Sequence, residues 1–202
     1  KGTRAVAIND FDTFSILQRF QFASYGFLEY IIKFFIPKGL STFYPYPEQA
    51  TYDTSLYFRV APIVVAIILG LALYSIKFTK SIAVGVGFFV ATVILVLQFV
   101  SVGMVIMADR YSYLPYIGLA FMIVMLIQEY APKKSQQVVF IGMIGLTLLF
   151  IPITMKQVET WQNSEALWTN VIELNRLKNG SLPRNIEQPL SNRGNYYGKK
   201  SE

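Results

Sequence analysis

Asp109 and Arg110 stand side by side between two apolar runs, and tyrosines follow at positions 111, 113 and 116. Residues 81–107 before them carry no charge, and neither do residues 117–127 after them. A charged pair between segments of hydrocarbon length belongs at a membrane–water boundary or in a polar cavity between helices. The Asp109 carboxyl could serve as a general base, a metal ligand or the partner of Arg110. The Arg110 guanidinium has the planar fork that grips a phosphate through two parallel hydrogen bonds, and a lipid-linked phosphate sits at that depth. Adjacent residues on a helix diverge, so Asp109 and Arg110 are expected to find different partners. The alternative is an interfacial turn, with Tyr111 and Tyr113 as belt aromatics, Pro115 starting the next helix and Arg110 snorkelling to headgroups.

A second polar stretch, Leu40-Ser41-Thr42-Phe43-Tyr44-Pro45-Tyr46-Pro47-Glu48, alternates two prolines with two tyrosines. That pattern disfavours a helix and presents phenol faces on an extended backbone. Tyr44 and Tyr46 could stack on a sugar or line a groove; the alternative is an aromatic girdle loop.

Much familiar chemistry is excluded. There is no cysteine, hence no disulfide and no thiolate, and no histidine, hence no Ser-His-Asp arrangement and few zinc sites. The chain has no phosphate loop, no dinucleotide glycine motif and no metal-ligand cluster. Gly85-Val86-Gly87 lies in an apolar run, where small residues serve packing.

The elements that must position these residues are helices. With 202 residues, 53% hydrophobic and 15% charged, and a mean hydropathy of +0.42, the chain reads as an all-α integral membrane protein, a polytopic helix bundle. Spans are expected over residues 57–78, 81–107, 115–130 and 137–155. Residues 14–36 carry Arg19, Glu29 and Lys33 and either lie in the interface or span; Glu29 and Lys33, spaced i,i+4, can pair. Lys77, Lys80, Lys133 and Lys134 mark two links as cytoplasmic, which leaves the tyrosine loop, the Asp109-Arg110 turn and the tail extracytoplasmic. The net charge of +6 belongs to loops and tail, with no basic stripe for nucleic acid. Residues 1–156 thus form a membrane domain and 157–202 a polar region. In the latter, residues 164–175 read as an amphipathic helix with Ser164 as N-cap, and Leu190, Gly194 and Tyr197 follow at helical spacing. That spacing resembles the first helix of a tetratricopeptide repeat, and one partial repeat cannot bury its face, so the tail is expected to be frayed or docked elsewhere. Asn179-Gly180-Ser181 is formally a glycosylation sequon. The opening Lys1 follows no signal-peptide pattern, and the chain reads as a piece of something longer.

Three motifs in order, the Leu40–Pro47 loop, the Ala-Asp-Arg-Tyr-x-Tyr-Leu-Pro-Tyr-x-Gly turn from Ala108 to Gly118, and the Trp161/Trp168 segment leading to Asn-Arg-Gly-Asn-Tyr-Tyr, resemble the C-terminal half of the transmembrane-and-tetratricopeptide-repeat O-mannosyltransferases of bacterial type. The resemblance implies a GT-C glycosyltransferase fold ending in the start of a tetratricopeptide-repeat (TPR) region, in a bacterial inner membrane. It implies transfer of a mannose-like sugar from a polyprenyl-phosphate carrier to a protein or other acceptor on the extracytoplasmic face. The polyprenyl-phosphate-linked sugar would be the donor substrate, with no further cofactor. Asp109, Arg110, Tyr111, Tyr113, Tyr44 and Tyr46 would bind donor. The acidic pair that such enzymes carry near their N-terminus has no match here, so no catalytic residue is assigned. The rival is a non-catalytic membrane scaffold that recruits partners through its repeats. A transporter fragment would want polar residues at mid-helix, and the spans show few.

Overall fold

A computed structural model describes residues 14–47, 53, 55–97, 105–176 and 180–200. Seven α-helices and one short two-stranded sheet make up the described residues. The chain divides into two compact units, Lys1–Leu119 and Ala120–Glu202. The first unit therefore ends well before residue 156, where the composition changes.

The first unit is built around helix α1, Ile16–Phe35. Ser15 starts it with a capping box: its hydroxyl accepts from the Gln18 N–H while the Gln18 side chain accepts from the Ser15 N–H at 2.8 Å. One face of α1, with Phe22, Ala23, Phe27 and Tyr30, is buried. Against it packs α2, Leu56–Ser75, through edge-to-face rings: Phe22 on Phe58 at 5.5 Å and Tyr25 on Tyr57 at 5.6 Å. The segment that the sequence leaves between interfacial and spanning is thus the helix the rest of its unit packs on.

A four-residue link joins α2 to α3, Lys80–Val93, whose N-cap Thr79 accepts from the Ser81 N–H at 3.1 Å. α3 leans on α1 through Phe27 and Phe89, with centroids 5.1 Å apart. The helix expected over residues 81–107 is shorter than its uncharged run. It ends at Val93, and the chain re-emerges as an extended strand, β2, Val105–Met107. β2 pairs antiparallel with β1, Tyr44–Pro45, Tyr44 opposite Met107 and Pro45 opposite Val105. Pro45 brings no N–H to the ladder, which keeps the pairing short. The absence of charge measures burial or lipid contact, and a strand hydrogen-bonded to a neighbouring loop satisfies it as well as a helix does.

A 3₁₀ turn, Asp109–Ser112, leads into α4, Tyr113–Tyr130. Within the first unit α4 approaches α3 closely at one glycine. A Cβ on Gly118 would stand 2.6 Å from the Gly85 carbonyl oxygen and 2.9 Å from the Phe89 nitrogen. The small pair Gly85 and Gly118 lets two backbones touch.

The second unit holds the rest of α4, then α5, Lys133–Glu159, α6, Ser164–Leu174, and α7, Glu187–Lys200. The N-cap of α6 is Asn163, whose side chain accepts from the Ala166 N–H at 2.8 Å; Ser164, expected as the N-cap, is the first helical residue, so the helix starts one position earlier. α6 and α7 pack on each other around Val171, Ile172 and Ile186, all fully buried, and the Tyr197 hydroxyl donates to Glu165 Oε1 at 2.5 Å. The tail is therefore neither frayed nor docked elsewhere: α6 supplies the apolar face that α7 needs. Asn179 of the sequon lies outside the described residues.

Three stretches among the described residues are long and apolar enough to cross a membrane: Leu56–Ser75, Asp109–Tyr130 and Ser135–Glu159. No residue in the apolar window of the third is buried by the protein. α1, with its three charges, is not among them.

Candidate functional site

The β1–β2 pairing brings the tyrosine loop and the Asp109-Arg110 turn together into one polar junction. Tyr30 of α1 anchors it. Its phenol, fully buried, donates to the Ala108 carbonyl at 3.1 Å and accepts from the Ala108 N–H at 3.2 Å. Both backbone groups of a buried residue are thereby satisfied by one side chain. The next residue, Asp109, ties in the loop from two sides. Its N–H donates to the Ser41 carbonyl at 3.1 Å, and its Oδ2 accepts from the Ser41 N–H. The Tyr44 hydroxyl lies 2.8 Å from Asp109 Oδ2 and 2.7 Å from the Gly39 carbonyl oxygen, and it accepts from the Ser41 N–H at 2.9 Å. Burial pushes the Tyr44 phenol well above its ordinary pKa, so Tyr44 keeps its proton at any physiological pH.

Gly39, at φ +60°, makes the bend that returns the chain from α1 to this loop. The carbonyls of Lys38 and Gly39 accept from Lys33 Nζ at 2.9 and 3.4 Å, and that ammonium stands 5.0 Å from the Tyr44 ring centroid. Lys33 is buried. The pairing with Glu29 that its spacing allows does not form: Lys33, in the last turn of α1, reaches past the helix end to the carbonyls of the bend that follows. Glu29 instead lies within electrostatic reach of the Tyr25 phenol.

Arg110 turns away from Asp109. Its Nη1 donates to Thr42 Oγ1 at 3.2 Å, its Nη2 donates to the Tyr111 hydroxyl at 3.1 Å, and the guanidinium carbon lies 5.0 Å from the Tyr111 ring centroid. Arg110 is exposed. Among the described residues it makes no ion pair; the ion pair there is Arg176 with Glu173, far along the sequence. A guanidinium carries five N–H donors, and two oxygens of the protein orient this exposed one. An anion of phosphate geometry is the chemistry that such a group takes. Among the described residues no cluster of acidic side chains could hold a metal ion.

Of the six residues read as donor-binding, the structure gathers Tyr44, Asp109, Arg110 and Tyr111 into the junction. Tyr46 is elsewhere, stacked on Phe14 at 5.3 Å and edge-on to Phe22 at 5.3 Å in the α1 aromatic cluster. Tyr113, 74% exposed, opens α4. Four residues of the junction escaped the sequence reading: Tyr30, Lys33, Ser41 and Thr42. Lys33 had been assigned to Glu29, and Ser41 and Thr42 lie inside the loop motif beside more conspicuous tyrosines. Tyr30 and Lys33, three apart on α1, share the face that meets the loop.

No family model matches the chain, and neither a curated protein nor a solved structure matches it.

Proposed function

We propose that this chain is a membrane portion of a glycosyltransferase that moves a sugar from a polyprenyl-phosphate carrier to an acceptor on the extracytoplasmic face. The observation that supports it most is Arg110: exposed, held by Thr42 and Tyr111, without an acidic partner among the described residues, and placed at the start of an apolar helix. A lipid phosphate whose tail runs along apolar helices presents its anion at that level, and a guanidinium pre-set by two oxygens loses little freedom on taking it. The motif resemblance supplies the sugar and the reaction class; no residue of this chain is assigned the catalytic base. The loop lysines support the orientation, with junction and tail on the extracytoplasmic side of a bacterial inner membrane. Binding of undecaprenyl phosphate in detergent tests the reading. Arg110→Ala should weaken it about tenfold or more, as loss of a charge-assisted hydrogen bond does, and Arg110→Lys should recover only part. Equal affinity in wild type and Arg110→Ala would sink the assignment.

The rival, a scaffold that recruits extracytoplasmic proteins through helical repeats, draws on the α6–α7 hairpin. It predicts partner capture that Arg110→Ala leaves intact.

A further inference from the structure

Resting on the phosphate-binding reading of Arg110, we infer that Asp109 stands as the neutral acid, donates its proton to the Tyr44 oxygen, and through that latch positions Arg110.

The argument is a count of hydrogens. Two acceptor-type oxygens, Gly39 O at 2.7 Å and Asp109 Oδ2 at 2.8 Å, crowd the Tyr44 oxygen, and the Ser41 N–H points at it from 2.9 Å. A phenol brings one hydrogen. With Asp109 ionised, that hydrogen satisfies one of the two oxygens, and the other contact sets lone pair against lone pair. With Asp109 protonated, each of the two oxygen–oxygen contacts has its hydrogen: Oδ2–H donates to Tyr44, and Tyr44 donates to the Gly39 carbonyl. The one Ser41 N–H is shared between the Tyr44 oxygen and Oδ2.

The charges around Asp109 leave room for the neutral form. Lys33 and Glu29, both on α1, are the charged groups that act on it, with opposite sign. The Lys33 ammonium is directed at the Lys38 and Gly39 carbonyls, and the Arg110 guanidinium at Thr42 and Tyr111. Tyr30 and Tyr116 also lie within electrostatic reach, as phenols. No cation forms an ion pair with Asp109 among the described residues.

The latch matters for Arg110 because of what lies next to it. Asp109 holds Ser41 by both its N–H and its C=O, and the following residue, Thr42, carries the hydroxyl that accepts from Arg110 Nη1. Thr42 is itself buried, so its hydroxyl is a fixed point rather than a mobile one. Releasing Ser41 releases Thr42, and the guanidinium loses one of its two protein contacts. Asp109 makes no contact with the phosphate in this scheme; it is a positioning residue.

Binding of undecaprenyl phosphate by the full chain in detergent micelles tests this, with the thermal unfolding midpoint recorded for each variant. Asp109 Oδ2 alone meets both Tyr44 and the Ser41 N–H, so no single amide atom of Asp109→Asn copies it, and the protonation state is read by infrared spectroscopy. Wild type should show the C=O stretch of a neutral carboxylic acid, and Asp109→Asn should remove it. Asp109→Ala and Thr42→Val should each weaken binding about tenfold, the worth of one hydrogen bond to a charged group. In Thr42→Val the midpoint should be unchanged, since the latch is intact. Loss of a carboxylate band in Asp109→Asn, rather than of a neutral-acid C=O band, would overturn the neutral acid. Wild-type affinity in both Asp109→Ala and Thr42→Val, with Arg110→Ala impaired, would overturn the positioning role and leave the phosphate reading standing. Wild-type affinity in Arg110→Ala as well would overturn both. Should Asp109→Ala fail to fold, the infrared comparison and Thr42→Val decide.

Discussion

The polar junction of the first unit and helix α5 of the second solve opposite problems. At the junction, phenols, a carboxyl, a hydroxyl and a buried ammonium meet, and the protein itself supplies almost every partner: Tyr30 serves both groups of Ala108, Asp109 serves Ser41, and Lys33 serves the Lys38 and Gly39 carbonyls of the bend after α1. α5 has no residue of its apolar window buried, and Leu146, Leu149 and Ile151 are all exposed. Its backbone is satisfied internally, as any helix's is, but its side chains depend on what surrounds them. The difference teaches where specificity resides. The junction is defined by directed hydrogen bonds and fails if one partner is lost, whereas α5 is defined by composition and fails only if its surroundings are wrong.

Substitutions can break the contrast or sharpen it. The largest effect is expected from Leu146→Arg at the middle of α5. An exposed position in water tolerates such a change to within about 0.5 kcal/mol, but inside a bilayer it costs about 3 kcal/mol. An insertion assay on α5 that shows no loss of integration would mean that this helix does not meet hydrocarbon. Next comes Gly118→Ala, which sets a methyl against the backbone of Gly85 and Phe89. Neither atom is a flexible side-chain end, so about 2 kcal/mol of stability should go, read as a lower thermal midpoint. The smallest is Tyr30→Phe, which leaves the Ala108 N–H buried and unpaired, the carbonyl keeping the Tyr111 N–H, at a cost of about 1.5 kcal/mol. The contrast is sharpest here: the Tyr30 loss should be the same in detergent and in lipid, because the junction carries its own partners, while the Leu146 loss should appear only in lipid.

How far the sequence foretold this follows the same division. The long apolar helices were legible because a run without charge is read by counting: Leu56–Ser75, Asp109–Tyr130 and Ser135–Glu159 all fall where the runs do. The two unusual loops were legible as motifs, since proline spacing and an Asp-Arg pair between apolar runs are local signals. What counting misses is where a helix stops without a charge or a breaker to stop it. Residues 81–107 read as one span, yet the helix ends at Val93 and β2 follows. Partner choice was equally hidden. Nothing local says that Asp109 takes Tyr44 rather than Tyr46, because that depends on a pairing between strands 60 residues apart in sequence, with an irregular register between Tyr44 and Pro45. Lys33 shows the same thing on a helix: the spacing to Glu29 permits a pair, but the Gly39 bend brings carbonyls closer to hand.

Sugar transfer by the full-length protein from a radiolabelled polyprenyl-phosphate donor, wild type beside Arg110→Ala, tests the central claim most directly. Transfer that collapses in Arg110→Ala, with the unfolding midpoint unchanged, is the result this account predicts. Equal transfer by the two proteins would contradict it and return the Arg110 junction to a structural role.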